Sequence, residues 1–134
     1  MQQDTTAQAA IEDYARRSHA GTIDFGSVVR GLAAAGVASY HADYRRRETA
    51  YYLADDTVHA LHLPAPDIAI ADGFNAEAVA AAVRGAQRGE VAYPDFMRLT
   101  MAAGCVGYLV WIDGRQVQYF GRRGEIHVEH FPQR

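Results

Sequence analysis

The sequence predicts an α+β fold in which helices pack on one face of an antiparallel sheet, as a tandem duplication of an ααβββ unit. Two observations lead there. Sliding the chain by 68 positions superposes Gly36 on Gly104, Tyr40 on Tyr108, Tyr51 on Tyr119, His59 on His127, His62 on His130 and Pro64 on Pro132 without a gap. In each half the hydrophobic spacing also switches from a helical period to strand alternation after a glycine, at Gly36 and at Gly104. Over 4–64 against 72–132, 14 of 61 positions are identical, where shuffled chains of this composition give roughly 5. An accidental match of an alanine-rich chain to itself is the rival account. Gly, Tyr, His and Pro among the matches weigh against it.

The first unit reads as follows. Asp4, Thr5 or Thr6 can cap a first helix whose stripe is Ala7, Ala10, Ile11 and Tyr14, and Gly21 stops it. Asp24 caps a second helix carrying Phe25, Val28, Val29 and Leu32, and Gly36 ends it. Strands follow at 37–45, 48–54 and 57–63, with Arg45, Arg46 and Arg47 at the first hairpin tip and Asp55-Asp56 in the next turn. Pro64-Ala65-Pro66 opens a linker.

The second unit repeats the plan. Asn75 caps a helix with Ala78, Val79, Ala82, Val83 and Ala86, closed by Gly89. Pro94 suits the first position of a fourth helix, where its missing N–H is not needed; Tyr93, Phe96, Met97 and Thr100 line its inner side. Strands are expected at 105–113, 115–120 and 125–131, with Asp113-Gly114 as a two-residue hairpin signal.

Composition bounds the function. A chain of 134 residues, 49% hydrophobic and 22% charged, is one domain able to bury a core without disulfides or a structural metal. A net charge of -3 argues against nucleic acid as a partner, since binding there rests on phosphate neutralisation. The single cysteine, Cys105, fits a reducing compartment. A basic, apolar leader and an 18-residue apolar run are both missing, so the expectation is a cytoplasmic protein with no membrane contact.

The strand faces suggest where a partner would bind. If the helices take the more apolar set, Ala38, Tyr40, Ala42, Val106, Tyr108, Val110, Val58, Ala60, Ile126 and Val128 face them. The other face then carries His41, Asp43, Tyr52, His59 and Leu61, with Leu109, Trp111, Phe120, His127, Glu129 and Phe131 from the second unit. Such a surface is too apolar for water alone. It is read as the contact of a homodimer, or as a site for a small molecule or protein partner.

Histidines at His59/His62 and His127/His130 invite a metal reading. Residues three apart on a strand point to opposite faces, which opposes it. A His59–His127 or His62–His130 couple with Glu129 or Asp43 is the alternative, as a metal site or an acid–base pair; plain half-exposed histidines are the simpler account. Cys105 follows a helix C-terminus, where a thiolate is disfavoured. The arginines at the two hairpin tips fit either phosphate contact or simple solvation of the turn. No catalytic residue, metal ligand or cofactor is assigned, and the expected role is a non-enzymatic binding module.

The run Gly89-Glu90-Val91-Ala92-Tyr93-Pro94-Asp95-Phe96, then Ala103-Gly104, Tyr119-Phe120 and the ending 124–132 resemble the YbcV-like family. These are small bacterial and phage-associated proteins often labelled phage envelope proteins. The resemblance spans Phe25 to Pro132 and rests on Tyr93, Phe96, Gly104 and Glu129. It implies this fold and a cytoplasmic bacterial origin, with no established activity. Members carry a histidine before the glycine and a cysteine after the phenylalanine; Ala86 and Met97 stand there in this chain.

Overall fold

The structure, a computed structural model, describes residues 2–132, with side chains from Thr6 onward. Four helices and six strands follow the order α1 (Gln2–His19), α2 (Phe25–Ala34), β1 (Val37–Asp43), β2 (Glu48–Leu53), β3 (Val58–His62), α3 (Ala76–Gln87), α4 (Tyr93–Ala102), β4 (Cys105–Trp111), β5 (Gln116–Gly121) and β6 (Ile126–His130). The strands form one antiparallel sheet in the order β3-β2-β1-β4-β5-β6. Each half is a meander, and the halves meet where β1 pairs with β4.

Local signals explain most boundaries. Asp24 caps α2 by accepting the Ser27 amide at 2.7 Å, and Asn75 caps α3 by accepting the Ala78 amide at 3.0 Å. Helix α1 starts at Gln2, ahead of the expected caps, so Asp4, Thr5 and Thr6 lie inside it; the side chains of Asp4 and Thr5 fall outside the described residues. Pro94 is the second residue of α4, one place past the expected first position and still within the first turn. Phe25, expected in the buried stripe of α2, is instead exposed and rests edge-on against Phe131 at 5.7 Å.

Eight described residues have positive φ, and they form four pairs spaced by 68: Gly21/Gly89, Gly36/Gly104, Arg47/Arg115 and Asp56/Gly124. The Asp113-Gly114 turn departs from expectation. Trp111 pairs with Gln116, so the connection holds four residues, and its left-handed position is Arg115 rather than Gly114. Arg47 occupies the same place between Asp43 and Glu48.

Buried residues of all four helices join one core with Tyr40, Ala42, Tyr51, Tyr108, Val110 and Tyr119. The third strand of each half corrects the expected faces. Across a ladder, paired residues point the same way. His59 pairs with Tyr51 and Leu61 with Thr49, so both face the helices, whereas Val58 and Ala60 face away with Tyr52 and Ala50. Likewise His127 and Glu129 face the helices with Tyr119 and Val117, and Ile126 and Val128 face away. Register, set by the neighbouring strand, overrides the apolar ranking of the two faces. A bulge between Val37 and Ser39, repeated between Cys105 and Gly107, also takes Ala38 and Val106 out of the simple alternation.

The hairpin-tip arginines hold the linker between β3 and α3. Arg47 reaches the Pro66 carbonyl at 3.3 Å, and Arg122 reaches the Ile70 carbonyl at 2.9 Å. Arg123 grips the Asp72 carboxylate through both oxygens at 2.9 and 3.1 Å. These contacts give the arginine clusters a structural task. No helix among the described residues is long and apolar enough to cross a membrane.

Candidate functional site

A cavity of about 670 Å³ lies between the helices and the sheet. Its floor is four tyrosines, one from each central strand: Tyr40 (β1), Tyr51 (β2), Tyr108 (β4) and Tyr119 (β5). Tyr14 and His19 of α1, Leu32 of α2, Val83 of α3 and Tyr93 and Phe96 of α4 form the sides. Alternation along the strands aims the tyrosines at the helices. Small residues opposite them, Ala15, Ala86, Gly89 and Ala92, leave the space open.

The rings pack in stacks and edges. Tyr40 stacks on Tyr51 at 5.4 Å, and Tyr93 on Phe96 at 6.3 Å; Tyr108 meets Phe96 edge-on at 6.4 Å. The Tyr108 hydroxyl donates to the Tyr93 hydroxyl at 2.7 Å. Tyr40, Tyr51 and Tyr119 line the cavity, and their hydroxyls have no hydrogen-bond partner among the described residues. Burial pushes the Tyr51 phenol up to about 12 and raises Tyr40 and Tyr119 further, so all three stay protonated donors.

One charged group is buried in the wall. Glu129, 8% exposed, accepts from Arg84 Nη1 at 2.8 Å and from His127 Nε2 at 2.6 Å. Burial alone would raise its pKa; the hydrogen bonds from Arg84 and His127 outweigh that and hold it below the usual range. His19 lies flat against Tyr93 at 6.1 Å, and burial, with help from His62, lowers the pKa of its imidazole.

The residues singled out from sequence divide between two faces. His41, Asp43, Tyr52, Leu109, Trp111 and Phe120 sit on the sheet face away from the helices. There Trp111 Nε1 donates to Gln118 at 2.9 Å, and His41 meets Phe120 edge-on at 6.4 Å. Asp43 is committed to its turn, accepting the Arg45 and Arg46 amides at 3.0 and 3.2 Å. His59, His127 and Glu129 are on the helix side. His59 and His127 occupy opposite edge strands, five strand spacings or about 24 Å apart, so the imagined couple does not form within a chain. Asp43 and Glu129 are on different faces, which also separates that constellation. The Nε2 atom of His59 is buried without a partner among the described residues.

Cys105 is fully buried beside the Gly107 carbonyl at 3.2 Å, and burial pushes its thiol up to about 11. Such a thiol is inert at neutral pH. The cavity itself escaped the sequence reading. Its one legible trace is the recurrence of Tyr40/Tyr108 and Tyr51/Tyr119 at the 68-residue spacing.

No curated protein matches the chain. A family described as a protein of unknown function (DUF1398) matches residues 45–130, which covers β2 through β6 together with α3 and α4. With well over half its residues in that match, the chain belongs to the DUF1398 family, whose description assigns no function.

Proposed function

We propose that this is a non-enzymatic small-molecule-binding protein that holds its ligand in the tyrosine-floored cavity. The supporting observation is the cavity itself: about 670 Å³, within the range of roughly 300–1,000 Å³ typical of ligand sites. The space is open to solvent on one side rather than sealed, so water or a ligand can enter it. Aromatic walls favour an apolar ligand over water. The test uses Nile red, an uncharged solvatochromic dye. Wild type should enhance its emission, and Val83→Trp or Ala86→Phe, which fill the cavity, should abolish the signal while circular dichroism stays native. Undiminished dye binding by both folded variants would remove the cavity from the reading.

A second observation favours self-association through the opposite sheet face. Val58, Ile126, Trp111 and Tyr52 are 51%, 54%, 39% and 39% exposed there, and Leu109, Phe120 and Val128 join them. Six strands about 4.8 Å apart and ~20 Å long give a footprint of roughly 600 Å², just under the ~800 Å² per partner of a standard interface. The partner this flat, apolar, sheet-shaped area fits is a second copy of the chain, stacked sheet on sheet. A dimer dissociating in the micromolar range is expected by light scattering, and Trp111→Asp should leave only monomer. A wild type that stays monomeric at high concentration ends this reading.

The recurrence of positive-φ residues and of the strand-start bulge at the 68-residue spacing supports a tandem duplication of the ααβββ unit. The YbcV-like resemblance supports a bacterial, cytoplasmic setting. A metal-dependent or acid–base enzyme is the less favoured alternative, because His59, His127 and Asp43 lie far apart or on different faces.

A further inference from the structure

We infer that the cavity selects an uncharged, ring-bearing ligand that carries a hydrogen-bonding oxygen or nitrogen, and rejects ions of either sign. The inference rests on the cavity being a ligand site. Among the described residues, three carboxylate or guanidinium side chains line the space, Asp24, Arg88 and Glu129, together with the imidazoles of His19 and His130. Arg88 and Glu129 are paired with opposite charges, whereas Asp24, exposed at the rim, accepts only a backbone amide. Asp24 caps α2, Arg88 donates to Glu90 at 3.0 Å, and both carboxylate oxygens of Glu129 are taken by Arg84 and His127. An anion entering this space would lose its hydration and meet no free cation.

A cation is the stronger rival, because aromatic rings attract positive charge through their faces. Here part of that attraction is blocked. Tyr40 and Tyr51 turn faces to each other at an interplanar angle of 27°, and Tyr93 and Phe96 do so at 23°. The one buried carboxylate is held at 2.8 Å by a guanidinium that would repel an incoming cation. Rings are welcomed by such walls through offset and edge contacts.

The polar requirement comes from the phenols. Tyr40, Tyr51 and Tyr119 line the cavity, and their hydroxyls lack a protein partner among the described residues. A ligand lacking any polar atom would cover these hydroxyls and leave them unsatisfied. A carbonyl or a ring nitrogen would accept from them.

Four probes built on one ring system separate these demands: naphthamide, naphthoate, naphthyltrimethylammonium and naphthalene, titrated calorimetrically into the full chain at neutral pH. Naphthamide should bind about tenfold or more tighter than either ion. Tyr51→Phe and Tyr119→Phe should each weaken naphthamide by about fivefold and leave naphthalene unchanged. An ion that binds as tightly as the amide overturns the inference, as does a doubly substituted variant with undiminished amide affinity. If Nile red binds and no naphthalene derivative does, the ligand class is wrong and the cavity reading stands. If neither dye nor probes bind, both fall.

Discussion

Gly104→Ala is expected to destabilise the protein by about 3–5 kcal/mol, lowering its melting temperature by roughly 10–20 °C. Gly104 joins α4 to β4 with φ at +87°, a conformation that costs an alanine about 1–2 kcal/mol by itself. The larger share is steric. A Cβ built there would lie 2.0 Å from the Gly73 carbonyl oxygen and 3.0 Å from the Phe74 Cα. Both are backbone atoms, and the linker carrying them is pinned by Asn75 N–H donating to the Ala103 carbonyl at 2.8 Å and Ala71 N–H to Met101 at 3.0 Å. It cannot step aside without breaking those bonds. Gly36 supplies the control: φ is +96° and nothing lies within 4 Å of its would-be Cβ. Gly36→Ala should therefore cost only about 1 kcal/mol. Equal losses for the two variants, by urea denaturation, would refute the close approach of the linker.

That contrast also marks what a sequence can and cannot disclose. Gly36 and Gly104 were both legible as helix stops, because any chain turning left-handed after a helix favours glycine. What distinguishes them is a linker that crosses one and not the other, and that is tertiary. Likewise Asp24 and Asn75 were legible as caps, since their side chains act within three residues of themselves. The faces of β3 and β6 were not. Val58 and Ala60 make one side apolar while His59 and Leu61 make the other mixed, so ranking the sides by apolarity gave the wrong answer where register decided. Glu129 was singled out as a sheet-face residue, yet its partner Arg84 sits 45 positions away on α3, and only packing unites them. The cavity was hidden for the same reason. It is a gap whose width depends on how far α1 and α3 stand from the sheet, which no local pattern encodes.

Ile11→Ala tests whether that gap needs all its walls. The family match begins at residue 45, so α1, α2 and β1 lie outside it, although they supply Tyr14, His19, Leu32 and Tyr40 to the cavity. Ile11 is fully buried at the centre of α1. Truncating a buried isoleucine costs about 2–5 kcal/mol, the higher values belonging to sites that cannot collapse. Collapse is restricted here. Tyr14, one turn along, lies over Gly31 of α2 so closely that a Cβ at Gly31 would fall 2.0 Å from its ring. That contact fixes the distance between α1 and α2 and leaves the hole beside Ile11 unfilled. A loss of more than about 3 kcal/mol in urea denaturation is therefore expected. Hydrogen exchange should rise along α1 before it rises in the sheet, because α1 packs mainly on other helices whereas the four central strands are tied on both sides. Nile red binding should weaken in step with α1 exchange, since the helix forms one side of the cavity. Dye binding that persists while α1 exchanges freely would mean that the rest of the chain holds the ligand without it, and the tyrosine floor rather than the whole cavity would be the site.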